Sequence, residues 1–192
     1  MKKKETVMTT EKKINGIDVN QLMNTIDQVK ENSDIAKFQF RAANKWVDGT
    51  QNRAIVTSFY GALQEDDSRD PMLFEMDEPP VLLGNNQGSN PVEYLLVGLS
   101  GCLTTSMVAQ AAARNIRINS LACRLEGDLD LQGFLGISES VPVGFKEIRV
   151  YFKIDADISA DEKQELIQLA QKFSPVFNTV AKPTSVIVQL DE

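Results

Sequence analysis

At 192 residues with a net charge of −7, the chain has the length of one domain with a sizeable core, and it lacks the basic balance that nucleic-acid binding needs. It has no histidine and only two cysteines, Cys102 and Cys123. That excludes Ser-His-Asp and Cys-His catalysis, imidazole-dependent metal sites, Cys-only zinc sites and a disulfide framework.

Residues 1–15 are polar and are expected to be mobile. No apolar segment follows Lys2, Lys3 and Lys4, so no secretory signal is read there and a cytoplasmic protein is expected. From Asp18 to Lys30, Val19, Leu22, Met23, Ile26 and Val29 fall at helical spacing and predict a short amphipathic helix. Ala36, Phe38 and Phe40 then alternate with Lys37, Gln39 and Arg41, the period of a half-buried strand. Asp48-Gly49 signals a turn, with a return strand over Ala54 to Tyr60 and a third strand over Met72 to Met76. Between them, Glu65-Asp66-Asp67 lacks the alternating spacing of an oxygen-ligand site and reads as a solvated loop, so no metal is expected. A Pro- and Gly-containing loop over Asp77 to Ser89 leads to the centre of the chain.

Asn90-Pro91-Val92-Glu93 has the residues of a capping box: Asn as cap, Pro at the first helical position and Glu three residues after the cap. The next 20 residues, Tyr94 to Ala113, carry no charge. They have the length of a membrane span, but two glycines, two serines, two threonines, a glutamine and four alanines make them weakly lipophilic. A central helix covered by protein is predicted, with no membrane partner. Beyond Arg114 the period returns to two. Leu121, Cys123, Leu125, Leu129 and Leu131 share one face, opposite Arg124, Glu126, Asp128 and Asp130. After a loop over Gly133 to Gly144, a strand over Phe145 to Ile154 turns Ile148, Val150, Phe152 and Ile154 inward. Ser159 to Glu162 forms a second capping box, before a helix with Leu166, Ile167, Leu169, Ala170 and Phe173 on its core face. Ser174-Pro175 starts another helix, and Ser185 to Leu190 reads as a last strand. This order predicts one α+β domain over residues 36–192, preceded by a polar segment and short helix over residues 1–35.

Two local patterns carry a family resemblance. Asn90-Pro91-Val92-Glu93 followed by Cys102, and Ser174-Pro175-Val176-Phe177-Asn178, resemble the OsmC/Ohr family of thiol peroxidases and stress proteins. The second pattern looks like that family's Cys-Pro-x-x-Asn segment with serine replacing cysteine, as in a divergent OsmC-like branch. The resemblance implies antiparallel sheets around central helices in an intertwined homodimer. It also implies attack of a thiolate on an organic hydroperoxide, with no metal or organic cofactor.

The resemblance assigns the attacking thiol to Cys102; its apolar setting alone favours a small core residue, and only with the resemblance do the two readings stand level. Glu93 matches the family glutamate, yet it is also the capping-box residue and lies nine positions, about two and a half turns, from Cys102. Arg53 matches the region of the family arginine, with Arg41, Arg69 and Arg114 as alternatives. Ser174 stands at the degenerate resolving position, and Cys123 is expected to pack in the core. The reading is a one-cysteine peroxidase with a Cys102-centred pocket, resolved by an external thiol reductant. Two others stand beside it: a protein binding a small apolar or lipid-like ligand, and a stress-associated protein with no pocket function.

Overall fold

The computed structural model describes residues 13–191; Lys2, Lys3 and Lys4 lie outside them. Lys13 to Asn15, expected to be mobile, are instead part of a hairpin. β1 (Lys13–Ile14) and β2 (Ile17–Asp18) pair across Asn15 and Gly16, both left-handed at φ 54° and 80°. Asn and Gly enter that region at little cost, hence this turn. Asn15 Nδ2 donates to Ile116 O and Ile118 N–H donates to Asn15 Oδ1, each at 2.9 Å, so one side chain staples the hairpin to a distant strand. Asp18 then caps α1 (Val19–Glu31) by accepting the Gln21 N–H.

A 3-10 turn and six short strands follow. A 3-10 turn at Ser33–Ala36, capped by Asn32 accepting the Asp34 N–H, takes the first residue of the predicted strand, and only β3 (Gln39–Phe40) remains of that strand. β4 (Ala43–Asp48), β5 (Gln51–Val56), β6 (Phe59–Gly61), β7 (Gln64–Asp66) and β8 (Met72–Met76) complete two antiparallel sheets, β4-β5-β8 and β3-β6-β7. The predicted Ala54–Tyr60 strand is broken at Thr57-Ser58, where the chain passes from one sheet to the other. Arg69 Nε bonds the Thr57 carbonyl at 2.5 Å, taking it out of any ladder. Part of the predicted acidic loop is β7, and its Glu65 pairs with Arg41 at 2.8 Å.

The loop to the central helix is built around Asp77, only 2% exposed. Its carboxylate accepts the Thr50 hydroxyl (2.6 Å) and the N–H groups of Glu78 (2.8 Å), Asn85 (2.9 Å) and Gln87 (3.1 Å). The loop closes so tightly that a Cβ at Gly84 would lie 1.8 Å from the Glu78 carbonyl oxygen. These hydrogen bonds, led by the Thr50 hydroxyl, hold the Asp77 carboxyl down at about 2.

α2 (Pro91–Ala113) carries the predicted capping box intact. It is long and apolar enough to cross a membrane by length and composition, but one face is committed to protein. Leu99, Leu103, Met107 and Ala111 are buried with Leu166 and Ala170 of α4 (Ala160–Phe173), and the inner faces of β9 (Ile118–Asp128) and β10 (Glu147–Ala156) close over them. Each large apolar side chain so removed from water contributes about 1.5–3 kcal/mol. Leu121, Cys123 and Leu125 face this core, as do Ile148, Val150, Phe152 and Ile154. Arg124, Glu126 and Asp128 face outward, where Arg149 pairs with both acids.

Four boundaries depart from expectation. β9 ends at Asp128, because Asp130 accepts the Gln132 N–H and caps the short α3 (Leu131–Phe134); Leu129 and Leu131 therefore leave the strand face, and the expected loop begins with α3. Phe173 is 48% exposed, with the Lys172 ammonium over its ring, instead of joining the core face of α4. α5 (Pro175–Ala181) follows as predicted. Ser185 to Leu190 forms no strand: no described strand pairs with it, and Val186, Ile187, Val188 and Leu190 are all exposed.

Candidate functional site

Cys102 lies midway along α2, half-buried between the buried Leu99 and Leu103. One turn later on the same flank, Ser106 Oγ donates to the Phe173 carbonyl at 3.3 Å. That bond fastens the Cys102 side of α2 to the junction between α4 and α5. Ser174 sits at this junction, fully buried, and its Oγ caps α5 by accepting the Phe177 N–H at 3.2 Å. The junction is tied by Asn178, whose Nδ2 donates to the carbonyls of Gln171 (3.0 Å), Lys172 (3.3 Å) and Ser174 (2.9 Å). The conformation of the Ser-Pro-x-x-Asn segment thus follows from its own residues: serine caps, proline starts the turn and asparagine closes the preceding helix end.

The other predicted site residues are elsewhere in the chain. Glu93 Oε2 accepts the Asn90 N–H at 2.9 Å, closing the capping box, and on the helix it points away from the Cys102 side. Arg53 Nε donates to Glu75 Oε1 at 2.5 Å, directly across the β5–β8 ladder. The alternatives are engaged too: Arg41 with Glu65, Arg69 with Thr57 O and the Phe59 ring, Arg114 with Gln110. Among the described residues Cys102 Sγ has no hydrogen-bond partner, so no arginine holds it within one chain. Cys123 packs inward opposite Phe152, and burial pushes its thiol up, away from reactivity at neutral pH.

Two apolar cavities adjoin this region, and neither is lined by Cys102. One, of about 410 Å³, lies between Leu95, Leu99, Phe145, Ile148, Val150 and Phe177. The other, of about 360 Å³, shares Leu95 and Phe145 and extends to Leu82, Val92, Leu131 and Phe134. The expected Cys102-centred pocket is therefore displaced towards the start of α2. Leu95 is seven residues, two turns, before Cys102 on the same helix side, and the apolar space reaches along α2 as far as Leu99. It can take an uncharged organic group.

Two contributors were not named from sequence. Glu75 acquires its relation to Arg53 through register, and Tyr94 O–H donates to the Glu75 carbonyl at 2.9 Å while its ring meets Phe74 edge-on. The only local signs were the predicted β8, which carries Glu75, and the predicted central helix, which carries Tyr94.

Known structures share this architecture. An OsmC-like protein from Mycoplasma pneumoniae aligns over 74% of this chain and 87% of its own, at 22% identity and a TM-score of 0.59. An organic hydroperoxide resistance protein OsmC from Legionella pneumophila aligns over 73% and 89%, at 16% identity and a TM-score of 0.51. One from Elizabethkingia anophelis, also called an organic hydroperoxide resistance protein, aligns over 74% and 89%, at 17% identity and a TM-score of 0.52. Identities this low establish the fold alone. No curated protein matches the sequence. The sequence model of the family described as OsmC-like protein matches residues 84–189, more than half the chain and the whole stretch from the start of α2 through α5, and the chain belongs to that family.

Proposed function

We propose that this OsmC-like protein reduces organic hydroperoxides at Cys102, as a homodimer and by a one-cysteine route. The observation that carries the reading is the fastening of the Cys102 side of α2 to a junction whose buried residue is Ser174, a hydroxyl in place of a second thiol. The Cys102 thiolate attacks the distal peroxide oxygen. The O–O bond breaks, the thiolate becomes sulfenic acid, and the alkoxide leaves and takes a proton as the alcohol. A first external thiol displaces water to form a mixed disulfide. A second releases Cys102 as thiol and departs as the external disulfide. No metal or organic cofactor enters this sequence. The apolar space along Leu95 and Leu99 suits the organic part of the peroxide.

A second copy of the chain supports this chemistry. α2 leaves Val97, Gly98 and Gly101 exposed, and Ser185 to Leu190 remains an unpaired apolar segment. A homodimer would cover both and bring Arg53 or another arginine to the thiol. In this reading residues 36–192 form the working domain and residues 1–35 are an addition to it. The setting is cytoplasmic, with no nucleic acid or membrane as partner.

The test is consumption of tert-butyl hydroperoxide with dithiothreitol as reductant, comparing wild type with Cys102→Ala. Turnover is expected in the first and not the second. Equal rates would remove Cys102 from the chemistry. A second reading, binding of a small apolar ligand without reaction, is favoured by the cavities meeting at Leu95 and Phe145. Tight binding of an uncharged apolar probe without peroxide turnover would select it.

A further inference from the structure

Building on the reading that the apolar space along α2 receives an organic group, we infer that Phe145, its ring laid on the bare backbone of Gly127, is the partition that sets how long a group this site accepts. Among the described residues, Leu95 and Phe145 alone line both apolar cavities. Side chains that line two adjoining cavities form the wall between them. An extended chain that enters one cavity is therefore stopped by the Phe145 ring before it reaches the other.

β9 provides the seat for that ring. Leu121, Cys123 and Leu125 put side chains on its inner face, and the next inward position is Gly127, paired with Ile148 of β10. Gly127 is not in the left-handed region, so the path of the chain does not call for a glycine there. Space does. A Cβ on Gly127 would lie 2.5 Å from Cε1 and 2.8 Å from Cδ1 of Phe145. The missing side chain leaves a slot on the inner face, and the ring fills it.

The root of the ring is held as well. Phe145 lies two residues before β10, beside Lys146, whose N–H donates to the Asp128 carbonyl at 2.8 Å and whose ammonium pairs with Asp130 at 2.7 Å. These bonds carry the β9–β10 pairing one step past the strand ends and keep Phe145 from swinging out with the loop before it. The other half of the wall, Leu95, comes from the second turn of α2. The partition thus stands where the sheet approaches the start of the helix that bears Cys102.

The experiment measures the binding of straight-chain alcohols, from butanol to dodecanol, by displacement of N-phenylnaphthylamine from the full-length protein. In wild type, affinity should rise about fourfold per methylene and then level off, because the growing chain meets the ring. Phe145→Ala joins the cavities, so its plateau should come several methylenes later, with the longest alcohols bound at least about tenfold tighter than by wild type. Leu131→Ala enlarges one cavity without joining it to the other and should move the plateau far less. A plateau moved as far by Leu131→Ala as by Phe145→Ala would overturn the inference, and so would a wild-type affinity that climbs unbroken to dodecanol. Gly127→Ala drives the ring off its seat and should weaken hexanol about tenfold, but not in the Phe145→Ala background, where no ring is displaced. Equal losses in both backgrounds would remove the seat from the inference. Should Phe145→Ala not fold, Phe145→Leu carries the comparison: a later plateau supports the partition and an unchanged one overturns it. The same proteins are assayed with tert-butyl hydroperoxide and dithiothreitol. The expected plateaus without turnover would overturn the peroxidase reading and leave the partition standing. Turnover with plateaus that Phe145 does not move would do the reverse, and no alcohol binding at all would overturn the partition together with the apolar site it divides.

Discussion

Ser106 Oγ donates to the main-chain oxygen of Phe173, so the helix flank that bears Cys102 is fastened to the residue immediately before Ser174. A hydroxyl at 174 caps α5 but cannot condense with a sulfenic acid. In Ser174→Cys, peroxide treatment is therefore expected to yield a Cys102–residue 174 disulfide, seen by peptide mapping. Turnover in that variant should depend less on a small monothiol. Oxidation of Cys102 without any such bond would show that the α4–α5 junction does not stand where the chemistry needs it.

Cys123 separates reactivity from packing. It faces the core from β9, and its thiol is shifted upward by burial, so it should contribute little thiolate at neutral pH. Replacement by serine is expected to leave sulfenic-acid trapping at full yield while lowering the melting temperature modestly, through a buried hydroxyl. Equal trapping in Cys102→Ala would assign the chemistry to the wrong sulfur.

Gly101 tests the second copy without touching the thiol. Nothing lies within 4 Å of where its Cβ would be, so alanine fits the single chain and should favour the helix by about 1 kcal/mol. A partner packed closely on this face would feel the added methyl. Gly101→Ala is thus expected to weaken dimerisation in sedimentation while the secondary structure melts no earlier. A wild type that sediments as a folded monomer at micromolar concentration ends the dimer reading.

What could be read from the sequence was what is local. The capping box at Asn90 and Glu93 and the period-two face of Leu121, Cys123 and Leu125 are set within a few residues, and both form as expected. The Arg53–Glu75 pair is not local: it follows from a strand register spanning 22 positions. The break at Thr57 depends on a side chain twelve residues away. Ser185 to Leu190 has the composition of a strand, but a strand needs an edge to pair with, and no described one pairs with it. Glu93 fits two roles on paper, and its hydrogen bond to Asn90 shows it filling the capping one within the chain.

The Asn15 staple should be separable from its turn. Asn15→Gly retains the left-handed backbone at φ 54° but removes the two hydrogen bonds to Ile116 and Ile118, each of net value about 0.5–1.5 kcal/mol. The expected result is faster hydrogen exchange at the Ile118 amide with α4 unaffected. Unchanged exchange at Ile118 would mean that the hairpin is held by Ile14 packing alone.

Asp77 gives the fold a predictable acid limb. Its carboxyl titrates at about 2 in the folded chain, against an ordinary value of 3.8, because the Thr50 hydroxyl and three backbone N–H groups favour the anion. A depressed folded value means that the unfolded chain binds the proton first as pH falls. The stabilisation is therefore fully present above about pH 4 and is lost as the pH falls through the folded value near 2. Asp77→Asn keeps the size of the side chain but replaces one acceptor oxygen with an NH₂ that faces donors. It should lower the melting temperature by several degrees at pH 7 and flatten the pH dependence between about 4 and 2. Because Thr50 supplies the shortest of these bonds, Thr50→Val should do the same to a smaller extent. A variant that melts like wild type at pH 7 but keeps the acid limb would place that limb on other carboxylates, and Asp128, held low by Arg149, would be the next to replace.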